Sequence, residues 1–453
     1  MRFIDGLSPL ATIAGRPASC RSGNIISHDF LRIRLTALLV GFACLFALMG
    51  CAGLIVDYTT PSADLQPPAN LPMMIRTLGT DHQFSQVSSI IMANRLRALH
   101  AEEPLSILAL SGGGNAGAFG AGAVAGLTLS GARPTFAVVT GVSVGALIAP
   151  YAFLGPAWDS RLLDAFTSEA EEKLLQPRGL GVIFGSSLYS GAPLKHLVDA
   201  YVSDMMIRAI AREADKGRLL LVATTDVATG APVVWDLGAI AKNGGPAART
   251  LFRDVLVASA SVPGMFPPVI IHVEQDGVRH DEAHIDGDTT VPFFVPPAFV
   301  QTPSGAVDGA HRTEVFVIID GPLGDAARSM RLTARGILTQ SIHAGLNHLL
   351  RTTLELTAAT AQLEGADLQF SAVPAAYPTV DSFDFRAEVR RPLFRYAYDC
   401  ARAGRLWTAF PRTANDNSTS RTMPSTQTVP CPADAPLIGS RLTFGNELAA
   451  PPR

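Results

Sequence analysis

Ser143 stands between Gly141 and Gly145 in GVSVG, the GxSxG spacing. Small neighbours there let a serine occupy the tip of a sharp strand-to-helix turn with its hydroxyl exposed. Upstream, Ser111, Gly112, Gly113, Gly114 and Asn115 follow the apolar run Leu105 to Leu110. Main-chain N–H groups in such a loop are unscreened by side chains and can face a developing oxyanion. A serine nucleophile and a donor-rich loop point together to nucleophilic acyl transfer.

Each motif has a competing reading. A chain with 40 glycines produces GxSxG by chance, and a structural turn is the alternative. The elements that must position the serine favour the elbow: Phe136 to Thr140 reads as a buried strand before it, and Ala146 to Leu154 as an apolar helix after it. Gly112, Gly114 and Gly117 also fit GxGxxG, the dinucleotide fingerprint. That fingerprint needs an acid about 20 residues on to hold a ribose. None lies between Pro104 and Trp158, which weighs against a nucleotide.

LALSGGGNAGAFGAGAVAGL followed by TGVSVGALIAPYAFLG resembles the patatin-like phospholipases, in particular a bacterial branch that carries a lipoprotein signal. The resemblance covers about residues 104 to 325 well and the C-terminal part loosely. It implies an α/β protein, a three-layer α/β/α fold with a central, mostly parallel sheet. It also implies a Ser–Asp dyad without histidine, and an oxyanion hole supplied by Gly112, Gly113 and Gly114. The aspartate of the family sits in a later Asp-Gly-Gly or Asp-Gly-Ala motif. Downstream of the serine, Asp-Gly occurs at Asp276, Asp286, Asp308 and Asp320, and Asp-Gly is first of all a common turn. HIDGDTTVP places Asp286 as the family motif does, with Asp320, at the end of the strand-like run Glu314 to Ile319, as the reserve. Two departures stand out. Position 288 is Asp where Gly or Ala is expected, and Ala116 occupies a loop position that is usually basic.

The mechanism the resemblance implies is attack of Ser143 on a lipid ester carbonyl while Asp286 takes its proton. The N–H groups of Gly113 and Gly114, with Val144, would hold the oxyanion. No cofactor or metal is called for, and the chain has no HExxH motif. A Ser–Asp–His triad through His343 or His348 is the mechanistic rival. His284 reads as a structural neighbour of Asp286. The serines of ASASVPGMFPP read as packing or turn residues, and Asp226 as a turn residue. The rival of another class is a catalytically weakened lipoprotein that binds lipid or a protein partner in the same pocket.

At 453 residues with 48% hydrophobic side chains, the chain can build a large core. A net charge of −3 with no basic block leaves nothing to neutralise nucleic-acid phosphates, and nucleic acid is set aside as a partner. Leu35 to Val56 is free of charge and follows Arg32 and Arg34, the pattern of a secretory signal. Within it Leu48, Met49, Gly50 and Cys51 resemble a lipobox, with Cys51 as the lipidated residue. A transmembrane anchor is the alternative, since about 20 uncharged residues can span a bilayer. Ala52 after the cysteine resembles outer-membrane sorting, so the expected setting is the cell envelope, on an outer-membrane anchor facing the periplasm. Residues 1 to 30 lengthen the signal unusually, which raises the expectation of a true translation start at Leu31. A peptide from residues 1 to 30 recovered from cells would exclude it.

Four segments follow. Residues 1–51 are an N-terminal extension and signal; 52–103 a tether, with prolines between Pro61 and Pro72, and helices within Met73 to His100; 104–325 the catalytic core; 326–453 a helical region with a polar loop. Helices are expected over Ser160 to Leu175, Leu194 to Ala214 and Leu323 to Glu364, with a closing helix within Phe383 to Trp407. Strands are expected at Leu219 to Ala223 and Val233 to Trp235. Cys400 and Cys431 are the cysteines left after signal removal besides Cys51, so an oxidising compartment would allow a disulfide between them. Two separate buried thiols are the alternative.

Overall fold

A computed structural model describes residues 76–78, 105–177, 186–275, 278–296, 313–324, 332–378, 381–409 and 429–435. The uncharged run with Cys51, the proline tether, Asp276, Asp308 and most of 73–100 lie outside them.

The described strands are β1 (Arg76–Leu78), β2 (Leu105–Leu110), β3 (Val138–Val142), β4 (Leu219–Asp226), β5 (Pro232–Asp236), β6 (Val269–Gln275), β7 (Val278–Asp286), β8 (Thr313–Ile319), β9 (Asp367–Ala372) and β10 (Thr408–Ala409). They form one sheet in the order β1-β5-β4-β3-β2-β8-β9-β10, with β7 pairing β4 and β6 pairing β7. The central five, β4-β3-β2-β8-β9, are parallel, and antiparallel pairs extend the sheet at both margins. The apolar runs of β2, β3 and β4 are what a parallel sheet covered on both faces requires. Alternate residues feed two cores. Leu108, Leu110, Leu220, Val222 and Ile318 face one. Ile107, Ala109, Leu219, Leu221 and Val317 face the other.

The helices are α1 (Gly117–Leu129), α2 (Val144–Leu154), α3 (Asp159–Thr167), α4 (Ala192–Tyr201), α5 (Asp204–Asp215), α6 (Leu237–Asn243), α7 (Gly245–Ser259), α8 (Ala334–Leu363) and α9 (Ala387–Arg402). On the first face lie α1, α2, α4, α5, α7 and α9. On the second, α8 contributes Leu354, Ala358 and Ala361, beside Phe293 and Phe294 from the loop after β7. The result is the three-layer α/β/α architecture.

In α1 glycines replace side chains where another backbone presses in. A Cβ at Gly122 would lie 2.2 Å from the carbonyl oxygen of Phe394, and one at Gly126 2.4 Å from that of Tyr398, both on α9. Glycine weakens a helix by about 1 kcal/mol per position, and this close approach offsets the loss. Cys400 at the end of α9 and Cys431 are joined in a disulfide with their Cα atoms 5.5 Å apart.

The structure corrects four expectations. Residues 76–78, within the segment read as helical, form β1, whose Arg76 guanidinium pairs with buried Glu282 of β7. Region 326–453 is not only helical, since β9 and β10 extend the sheet. The stretch 194–214 holds two helices, because Ser203 caps α5 by accepting the Met206 N–H at 3.2 Å. The helix expected through Leu175 ends at Thr167. No described helix is long and apolar enough to cross a membrane.

Candidate active site

Parallel β3 runs out at Val142, and α2 starts at Val144, leaving Ser143 alone at the turn. Its φ of 54° is the only positive value at a non-glycine residue among those described. Such backbone strain persists only where the surroundings enforce it. They do so by crowding. A Cβ at Gly141 would lie 2.6 Å from the carbonyl oxygen of Gly145, and one at Gly145 would lie 2.5 Å from those of Leu110 and Ser111. The Ser143 N–H is held by Ser259 Oγ at 3.0 Å, and that hydroxyl donates to Ala223 O at 2.7 Å.

Asp286 reaches the serine through sheet register. β4 pairs with β3 as far as Ala223 opposite Val142. Its next residue, Thr224, pairs with Val233 of β5 on one side and with Asp286 of β7 on the other. β7 thus takes over the side of β4 that β3 vacates as its chain turns into the elbow. Gly287 makes room for this, since a Cβ there would lie 2.5 Å from Ala223 O and 3.0 Å from a Val142 methyl. Ser143 Oγ donates to Asp286 Oδ2 at 2.6 Å. The other oxygen, Oδ1, accepts the Asp288 N–H at 2.8 Å. The Asp286 main chain is fixed by Ser261 O, which accepts its N–H, and by Thr225 Oγ1, which donates to its carbonyl, each at 3.0 Å.

Burial pushes the Asp286 carboxyl well above the usual carboxylate range, and the like charge of Asp288 adds to this; the hydrogen bonds from Ser143 and the Asp288 N–H act against it. Burial lifts Asp288 to about 7. The Asp288 carboxyl packs over the glycine loop, with its Cγ 2.7 Å from where a Gly112 Cβ would stand.

The loop itself splits into spent and unspent amides. Gly112 N–H donates to Pro292 O at 3.1 Å, which removes Gly112 from the expected oxyanion donors and makes it an anchor. Asn115 N–H donates to Ser382 O at 2.9 Å. Among the described residues the amides of Gly113, Gly114 and Val144 donate to no protein acceptor. Val144 also opens the eleven-residue helix α2, whose N-terminal dipole favours negative charge. α1 abuts the same place, since a Cβ at Gly117 would lie 2.1 Å from a Val144 methyl.

The remaining candidates fall elsewhere. His343 and His348 lie on α8, and Asp286 has both carboxylate oxygens engaged by Ser143 and Asp288, so no histidine completes a triad among the described residues. His284 is buried, with Nδ1 3.0 Å from Thr224 Oγ1 and Nε2 3.2 Å from Glu282. Asp226 closes a turn by accepting the Ala228 and Thr229 N–H groups. Asp320 lies at the end of β8, its Oδ1 taking the Gly120 N–H at 2.7 Å. Sequence reasoning missed Ser259, Ser261 and Thr225; the serines sit in the ASASVPGMFPP run, where they were read as packing or turn residues.

Among solved structures, the chain is similar to a crystal structure of VipD from Legionella pneumophila, at 11% identity over 68% of each chain and a TM-score of 0.35. No curated protein matches it. Residues 108–299, the span that holds the glycine loop, Ser143 and Asp286, match the family model of patatin-like phospholipase.

Proposed function

We propose that this protein is a serine acyl hydrolase that releases fatty acid from phospholipids or related acyl-ester lipids through a Ser143–Asp286 dyad. The observation that carries the reading is the 2.6 Å hydrogen bond from Ser143 Oγ to a buried aspartate whose other oxygen is already engaged. Ionised Asp286 accepts the hydroxyl proton as Oγ attacks the ester carbonyl. The unspent amides of Gly113, Gly114 and Val144 receive the oxyanion, each donor being worth about 10²–10³ in turnover. Asp286 then protonates the departing alcohol and activates the water that cleaves the acyl-enzyme.

The same reading places the enzyme in the cell envelope on a lipid anchor at Cys51, facing the periplasm. The lipobox-like sequence and the Cys400–Cys431 disulfide, which belongs in an oxidising compartment, support this. Incorporation of labelled fatty acid in cells, lost in Cys51→Ser, tests it.

A second reading is favoured by the Asp288 carboxyl against Gly112 and by Ala116 in the loop: a weakened hydrolase that binds lipid or a protein partner in the pocket. One experiment separates the two. The purified chain and its Ser143→Ala variant are treated with a serine-reactive fluorophosphonate and assayed on phospholipid vesicles. Labelling and fatty-acid release that both vanish in the variant establish the hydrolase. A folded wild type that does neither selects the binding protein.

A further inference from the structure

Asp320 is 1% exposed, and its Ser143-facing counterpart Asp286 already fills the role of base in the proposed reaction. Asp320 touches the glycine loop at two points through its main chain, and the first turn of α1, which continues from that loop, at a third through its side chain. Its N–H donates to Ser111 Oγ at 2.9 Å, and that hydroxyl in turn donates to Gly112 O at 2.7 Å. Its carbonyl oxygen packs directly under Gly113, 1.8 Å from where a Cβ would stand. Its carboxylate Oδ1 takes the Gly120 N–H at 2.7 Å, in the first turns of α1. Gly120 is what permits that last contact, because a Cβ there would lie 2.7 Å from the same oxygen. The second oxygen, Oδ2, is buried with no hydrogen-bond partner among the described residues.

A buried carboxyl with one oxygen left unpaired is costly to a fold, and helix capping alone does not require it. The three contacts bracket the residues whose amides are unspent: Ser111 and Gly112 before them, Gly113 among them, Gly120 after them. We infer that Asp320 is a positioning residue that holds the glycine loop in its oxyanion-binding shape, acting on catalysis through Gly113 and Gly114 rather than by touching substrate. Burial also pushes its carboxyl well above the usual carboxylate range.

The inference rests on the proposed hydrolase reading, and the test keeps the two apart. The full chain is compared with Asp320→Ala, Asp320→Asn, Gly120→Ala and the Asp320→Ala/Gly120→Ala double variant for kcat, KM and the rate of Ser143 labelling by fluorophosphonate. Asp320→Ala is expected to lower kcat about 10²-fold, the worth of one oxyanion donor, with KM within about threefold of wild type. Asn keeps an acceptor for the Gly120 N–H and is expected to restore kcat to within about tenfold. Gly120→Ala displaces the carboxyl and reproduces the loss, yet adds nothing once Asp320 is alanine, because both changes remove one contact. Wild-type kcat in Asp320→Ala and Gly120→Ala, a loss confined to KM, or unfolding of both variants would overturn the positioning role. A wild type that fails to label at Ser143 would instead sink the hydrolase reading.

Discussion

Val142 and Asp286 are paired with consecutive residues of one strand, Ala223 and Thr224 of β4. Ser143, which follows Val142, and Asp286, 143 residues apart in sequence, therefore meet by backbone register. Adjacent positions on a hydrogen-bonded ladder are fixed far more tightly than two loops could be.

Asp286→Asn keeps the size of the side chain and an acceptor for the Asp288 N–H, so the fold should persist with a melting temperature near that of wild type. It removes the proposed proton acceptor, and kcat should fall about 10²–10⁴-fold. Esterase turnover and a thermal melt, run side by side, check both halves.

Asp288→Gly removes a like charge that helps hold the Asp286 carboxyl above the usual carboxylate range. A base acts in its ionised form, so activity rises with pH through its pKa. Relieving the repulsion lowers that pKa, and the acid limb of kcat/KM against pH should move to lower pH. The same limb in variant and wild type would show that the Asp288 charge does not reach Asp286.

Ser259→Ala strips the elbow amide of its acceptor and leaves Ala223 O without the Ser259 hydroxyl. Buried polar groups deprived of a partner cost about 1–3 kcal/mol. Urea unfolding should show that loss, and fluorophosphonate labelling should slow because the strained turn at Ser143 is no longer held.

Glu282→Gln breaks the buried pair with Arg76, whose partners are 3% and 7% exposed, at a cost of about 3–5 kcal/mol. Burial works against the Glu282 carboxylate, but the His284 ring and the Arg76 guanidinium outweigh it and bring it down to about 2 from an ordinary 4.5. A carboxyl lowered on folding stabilises the protein above its unfolded value, and that contribution is lost as pH falls from 4.5 toward 2. Asp286, Asp288 and Asp320 are raised on folding and act with the opposite sign, favouring the folded state at low pH. Stability measured from about pH 5 to pH 2 should therefore fall less on acidification in Glu282→Gln than in wild type.

The parts of the fold legible in sequence are those whose determinants are local. β2 and the elbow show themselves because an apolar run, small residues and a helix follow one another within a few positions. The layer arrangement followed from the resemblance those residues carry. Among the Asp-Gly dipeptides, HIDGDTTVP favoured Asp286 through the resemblance alone, and its physical ground, the pairing of β7 with β4, lies outside any five-residue window. β1 was illegible because its anchor, Glu282, lies 206 residues away. Ser259 was missed for a similar reason: a serine at the end of a helix reads as a turn until Ser143 and Ala223 are seen on either side of it.

The close packing of α1 on α9 bears on where this protein can be cut. A fragment trimmed to residues 108–299 would lack β8, leaving β2 an open sheet edge, and would lack α9, baring Gly122 and Gly126. Neither loss could be repaired from within the fragment, because an edge with unpaired amides invites aggregation and a glycine face has no side chains of its own to bury. The stretch that records kinship is nested inside a larger unit of self-assembly, and minimal versions of this protein have to keep the chain through α9.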